Sequence, residues 1–148
     1  MKYDRQISIL VPYRSRNGVL EIFLQKRSLA AKRNPGKFGF FGGHLEDNET
    51  PEQGLIREIQ EELTIAIEHY DFLGEFPLER DGEHIMKYAY TTKVPDNFEE
   101  SIHIKEGDYG QWFTEEKLRQ ESNVIPHDRE VFEAFFDRQR KANLASGY

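Results

Sequence analysis

The stretch from Gly43 to Ile65, GHLEDNETPEQGLIREIQEELTI, predicts a helix with well-marked ends. Thr50 suits the N-cap, Pro51 the first helical position, and Gln53 stands where a capping box places Glu or Gln. Leu55, Ile56, Ile59 and Leu63 fall on one side of the helical wheel and are expected to face a core. Glu58, Glu61 and Glu62 stand at i, i+3 and i+4 and neighbour one another on a different face. Like charges at that spacing repel. A shared hard cation with oxygen ligands, Mg²⁺ or Mn²⁺, would account for them. The plain alternative, an acidic solvated face, is the commoner meaning of such a helix in isolation. Here Gly42-Gly43 lies just upstream, where the backbone can turn tightly or approach a ligand closely. Arg57 sits beside the acidic cluster, and Glu49 precedes the helix within reach of an arginine.

The arrangement resembles the Nudix box, G-x5-E-x7-R-E-U-x-E-E-x-G-U with U a bulky aliphatic. Gly43, Glu49, Arg57, Glu58, Ile59, Glu61, Glu62 and Ile65 match the pattern, and Thr64 replaces the family glycine. The resemblance implies an α/β chain, an α+β sandwich with a mixed β-sheet packed between helices. It also implies hydrolysis of a nucleoside diphosphate linked to another group. A β-branched residue takes positive φ poorly, so we expect the exit turn at Thr64 to be rebuilt with negative φ.

The rest of the chain reads as one domain over residues 1–148, long enough to bury a core. No apolar run approaches membrane length and the N-terminus lacks a signal-peptide pattern. With no cysteine there is no disulfide or thiol nucleophile. These features are compatible with a cytoplasmic protein. The formal net charge of −7 argues against binding a nucleic-acid polymer. The oligomeric state stays open, a homodimer included.

Strands are expected at Gln6 to Tyr13 and Val19 to Lys26, joined at Asn17-Gly18, with Pro12 marking an edge or bulge. Phe38 to Phe41 should form a short strand. Phe72 to Leu78 and Ile85 to Val94 should form two more, turning at Glu79 to Gly82. Tyr88 and Tyr90 make one face of the last of these aromatic. That face is ordinary sheet packing by default, and a base-stacking surface as the alternative, with Tyr88 the substrate-binding candidate. A final helix opens near Pro126-His127-Asp128, with Val131, Phe132, Phe135 and Phe136 as its apolar stripe.

Outside the box, three segments resemble those of MutT-type Nudix enzymes. By that resemblance Arg27, at the end of IFLQKRS, contacts substrate phosphates. Glu106, in KEGDYGQW, completes the metal site. Asp128 stands where such enzymes carry a base-reading amide, and its common alternative use is as a helix cap. The implied metal ligands are Glu58, Glu61, Glu62 and Glu106, with a carbonyl of Gly42 or Gly43. Glu58 is the first choice for a general base and Glu106 the alternative. Glu49 and Arg57 hold the loop to the helix. The flanking segments favour a nucleoside triphosphate, an oxidised purine one included, cleaved to the monophosphate and pyrophosphate. A nucleotide sugar or ADP-ribose is the runner-up, and a noncatalytic nucleotide-binding module is disfavoured because every box glutamate is kept.

Overall fold

The computed structural model describes residues 2–105 and 107–145. Its centre is β1 (Arg5–Arg16), which pairs in parallel with β6 (Glu83–Lys93) and antiparallel with β2 (Val19–Lys26) and β4 (Phe41–His44). The sheet path runs from β3 (Phe38–Gly39) through β2, β1 and β6 to β5 (Asp71–Arg80), and β7 (Tyr109–Thr114) pairs with β2. Both β-hairpins turn on two residues of positive φ, Asn17-Gly18 and Asp81-Gly82. That conformation matches the twist of the flanking strands.

Pro12 does not sit on an edge strand as its residue type suggested. β1 is central, and Pro12 falls in the gap between residues pairing β4 (Ile7 to Leu10) and those pairing β2 (Tyr13 to Arg16). A missing N–H costs little where no ladder bond is required.

Two cores lie on opposite faces of the sheet. Helix α1 (Pro51–Leu63) covers one with Leu55, Ile59 and Leu63, packed on Leu10, Phe23, Phe41 and Tyr90. Helix α3 (Arg129–Ala145) covers the other with Val131, Phe132, Phe135 and Phe136, packed on Ile9, Val11, Ile22 and Ala89. The expected sandwich is therefore present. Phe41 fills the α1 side and stacks on Phe23. Phe113 is buried, and Trp112 lies under the Arg14 guanidinium at 3.8 Å. Thr114 caps α2 (Glu115–Gln120) by accepting from Lys117 N.

At α1 the capping box is complete: Thr50 Oγ1 accepts from Gln53 N, and Gln53 Oε1 accepts from Thr50 N. Ile56, expected in the core, is 40% exposed and lies beside the apolar stripe rather than in it. The exit also departs from expectation. Thr64 keeps the left-handed conformation, φ 62° and ψ 32°, and its N–H closes on Gln60 O. The chain turns there as it would with glycine. Leu63 is fully buried, and its carbonyl accepts from His103 N, so the exit path is fixed by packing and hydrogen bonding beyond the helix.

Thr64→Gly should therefore raise stability by about 1 kcal/mol, the left-handed penalty of a side chain partly offset by glycine's chain entropy. A higher denaturant midpoint with an unchanged slope is the expected result.

Candidate active site

The glutamates of α1 are not equally placed. Glu61 is exposed, Glu58 half-buried, and Glu62 buried at 8% exposure. Arg57 organises the loop before them. Its Nε meets Glu49 Oε2 at 2.8 Å and Glu46 Oε1 at 2.9 Å, and its Nη2 donates to Glu49 Oε1 and the His44 carbonyl. Its Nη1 donates to Glu58 Oε1 at 2.9 Å and Glu61 Oε2 at 3.2 Å. One guanidinium thus ties the entry loop, the helix and two box carboxylates together, as the sequence led us to expect of Arg57 and Glu49. Hydrogen bonds from Arg57, and then from Glu46 N, hold the Glu49 carboxyl down at about 2.

Gly42 and Gly43 bring β4 against this helix. Gly42 has φ 140°, and a Cβ there would stand 2.0 Å from the Ser8 carbonyl oxygen across the β1 ladder. A Cβ on Gly43 would lie 2.5 Å from Glu58 Oε2. The second glycine therefore lets a main chain lie directly against a carboxylate. Carboxylates and a neighbouring carbonyl are the hard oxygen donors a divalent cation of the Mg²⁺ type takes. Among the described residues no three acidic or histidine side chains converge as a ready-made cage. Glu58 and Glu61 instead share Arg57.

Beside the glycines, on the α3 face of the sheet, opens a cleft of about 270 Å³. It runs from Gly42-Gly43 to Asp128, and Arg27, Arg33, Arg80 and Lys87 bring four cations to its lining. Arg27 Nε is anchored on the Arg33 carbonyl at 2.9 Å. Nε and Nη2 of Arg80 are shielded from solvent and have no hydrogen-bond partner among the described residues. Burial lowers the Arg80 pKa, and the nearby Arg33 adds to the shift, while Asp81 opposes it. Burial, reinforced by Arg5, Arg80 and Arg33, also lowers the His44 pKa and so favours a neutral imidazole at the rim.

Asp128 is buried and does not cap α3. It belongs to a 3₁₀ turn, Pro126–Asp128, that winds directly into the helix. Its carboxylate points inward, accepting from Lys87 Nζ at 2.6 Å and from Phe40 N at 3.3 Å. Tyr88 is not in the cleft. Alternation along β6 sends Lys87 to the α3 side and Tyr88 to the α1 side, where its hydroxyl donates to Gln6 Oε1. The aromatic face noted in the sequence is core packing, and Lys87 is the β6 residue that meets the cleft.

Residues 2–135 match the family described as NUDIX domain. The chain belongs to the Nudix family. It is 33% identical over 99 residues to an 8-oxo-dGTP diphosphatase of Escherichia coli K12, which covers 67% of this chain and 74% of that protein. Its fold superimposes on a MutT protein from Methanosarcina mazei Go1 with TM-score 0.76, 22% identity and coverage of 93% and 95% of the two chains. The Nudix domain of Shewanella oneidensis NrtR, solved with ADP ribose, gives TM-score 0.74 at 16% identity, covering 94% and 90%. The structure is thus a Nudix fold, and the chain is a Nudix hydrolase of phosphoric anhydrides.

Within this Nudix site, Gly42, Gly43, Glu58, Arg27 and Asp128 come together along one route from helix to cleft. Glu106 lies outside the described residues. Sequence reasoning missed Lys87 and Arg80. Lys87 carried a signal, a lysine at an inward position of a strand whose neighbours Ile85 and Ala89 are core. Arg80 carried none, because a charged residue before a hairpin turn is ordinary.

Two outcomes follow from the charges. Glu49 has a depressed pKa, so its contribution to stability is complete above its unfolded value near 4.3 and is lost as pH falls toward about 2. The stability difference between wild type and Glu49→Gln should be constant above about pH 5 and shrink below it, in urea titrations at successive pH values. Arg80→Met should raise the thermal midpoint. It removes buried donors whose lack of partners costs about 1–3 kcal/mol each.

Proposed function

We propose that this Nudix hydrolase is a divalent-metal-dependent pyrophosphohydrolase of nucleoside triphosphates, oxidised purine triphosphates foremost, releasing the monophosphate and pyrophosphate. The observation that carries this reading is the solvent-shielded fork of Arg80, unpartnered among the described residues, in a cleft that leads to Gly42-Gly43 and Glu58. Such donors call for acceptor-rich ligand groups, and a net-acidic chain concentrates cations here and carboxylates at the other end. The related 8-oxo-dGTP diphosphatase supports the substrate class.

In this reading Glu58, Glu61 and Glu62, with a carbonyl of Gly42 or Gly43 and with Glu106 by its sequence position, hold Mg²⁺ or Mn²⁺. The cation, when bound, supplies charge neutralisation on the phosphates and activation of the attacking water. Arg27 and Arg33 offset phosphate charge along the cleft wall. Glu58 takes the proton of the attacking water, with Glu106 the alternative. Arg57 and Glu49 position Glu58 through the 2.9 Å contact of Arg57 Nη1. Asp128 receives the base at the far end.

A release assay with Mg²⁺ tests this across nucleoside triphosphates, their 8-oxo forms, nucleotide sugars, ADP-ribose and dinucleoside polyphosphates. Pyrophosphate release should be fastest from a purine triphosphate. Glu61→Gln and Glu62→Gln should each lower kcat by roughly 10²-fold, the scale of losing a preorganised electrostatic group, without unfolding the protein. Wild-type turnover in both variants at limiting Mg²⁺ would overturn the ligand assignment.

A further inference from the structure

Lys87 stands where the fold asks for an apolar side chain. It is 6% exposed, on the face of β6 that carries the buried Ile85 and Ala89, and opposite Ile7 in the parallel ladder. Its ammonium donates to Asp128 Oδ1, and Asp128 is its one side-chain partner among the described residues. Both charges are out of water. Replacing such a buried pair by apolar residues is often neutral or stabilising, so stability alone is a weak reason for it. Both residues line the cleft. An ammonium has three donors and a carboxylate about four acceptor positions. The pair therefore offers the cleft further donors beside further acceptors, their charged atoms 2.6 Å apart. The 3.3 Å bond from Phe40 N is long and leaves Oδ2 available as an acceptor.

We propose that Lys87 is a specificity-determining residue: with Asp128 it binds the lactam edge of a six-membered base ring, the ammonium donating to the exocyclic carbonyl oxygen and the carboxylate accepting from the adjacent ring N–H. This rests on the nucleotide reading above and names the base edge that it favours. A lactam presents a protruding, electron-rich oxygen and an acidic N–H. Both contacts are then charge-assisted, the stronger class of hydrogen bond. Adenine presents the opposite order, a ring nitrogen acceptor and a weakly acidic amine, and gains less from either charge. Asp128→Asn does not isolate base recognition, because it strips a buried ammonium of its counter-charge.

The test is binding of inosine, N1-methylinosine and adenosine 5′-monophosphates by calorimetry, alongside Mg²⁺-dependent hydrolysis of ITP and ATP. Wild type should bind IMP at least about ten-fold more tightly than AMP, and N1-methylation, which removes the N–H, should erase that advantage. Lys87→Met/Asp128→Leu should keep or raise the thermal midpoint and bring the IMP-to-AMP ratio to about one. An unchanged ratio in the folded double variant overturns the proposal, as does a wild type indifferent to N1-methylation. The second comparison needs no variant to fold. Base-selective binding without hydrolysis of any triphosphate would sink the proposed activity and leave the pair standing. Equal hydrolysis of ITP and ATP with equal binding would sink the pair and leave the activity.

Discussion

The Arg57 guanidinium is the constraint on which the site depends. Its contacts join Glu46, Glu49 and the His44 carbonyl on the entry loop to Glu58 and Glu61 on the helix. Because the fork is planar and rigid, these partners are fixed relative to one another as well as to the arginine. Glu58 is thereby held against Gly43, and Gly43 is held by its ladder to Ser8 of the central strand. The arrangement runs from a charge cluster at the surface to the middle of the sheet without a flexible joint. It also offsets the repulsion between Glu58 and Glu61 on one helix.

What could be read from the sequence was chiefly what is local. The cap of α1, the two positive-φ hairpins and the bounds of β2 each follow from a few adjacent residues, and the helix stripe follows from periodicity. The box itself is a local pattern, since Glu49, Arg57 and Glu58 lie on one loop and helix. Thr64 was misread for an instructive reason. Intrinsic preference argued for a rebuilt turn, but Leu63 is sealed in the core and its carbonyl is engaged by His103 N. Tertiary contacts fixed the chain direction, and the side chain accepted the strain.

The cleft was less legible because its parts are distant in sequence. Asp128 and Lys87 are 41 residues apart. Neither local pattern nor propensity says that they meet. The tyrosines at 88 and 90 drew notice as an aromatic face, yet strand alternation alone cannot say which face looks toward ligand. Only the sheet order and the positions of α1 and α3 decide that. Arg80 became visible through what its guanidinium lacks, which no sequence pattern displays.

The parallel ladder between β1 and β6 makes the Lys87–Asp128 end of the cleft sensitive to alignment. Ile7 lies opposite Lys87, and Ile9 opposite Ala89, across most of the chain's length. In a strand, a shift of one residue exchanges the two faces completely. Such a slip would drive the ammonium into the Leu55–Ile59 side and turn Tyr88 toward Asp128, stranding both charges. A one-residue slip is thus penalised by the ion pair, which the observed register satisfies. A mispaired chain is penalised at the same two residues that line the end of the cleft.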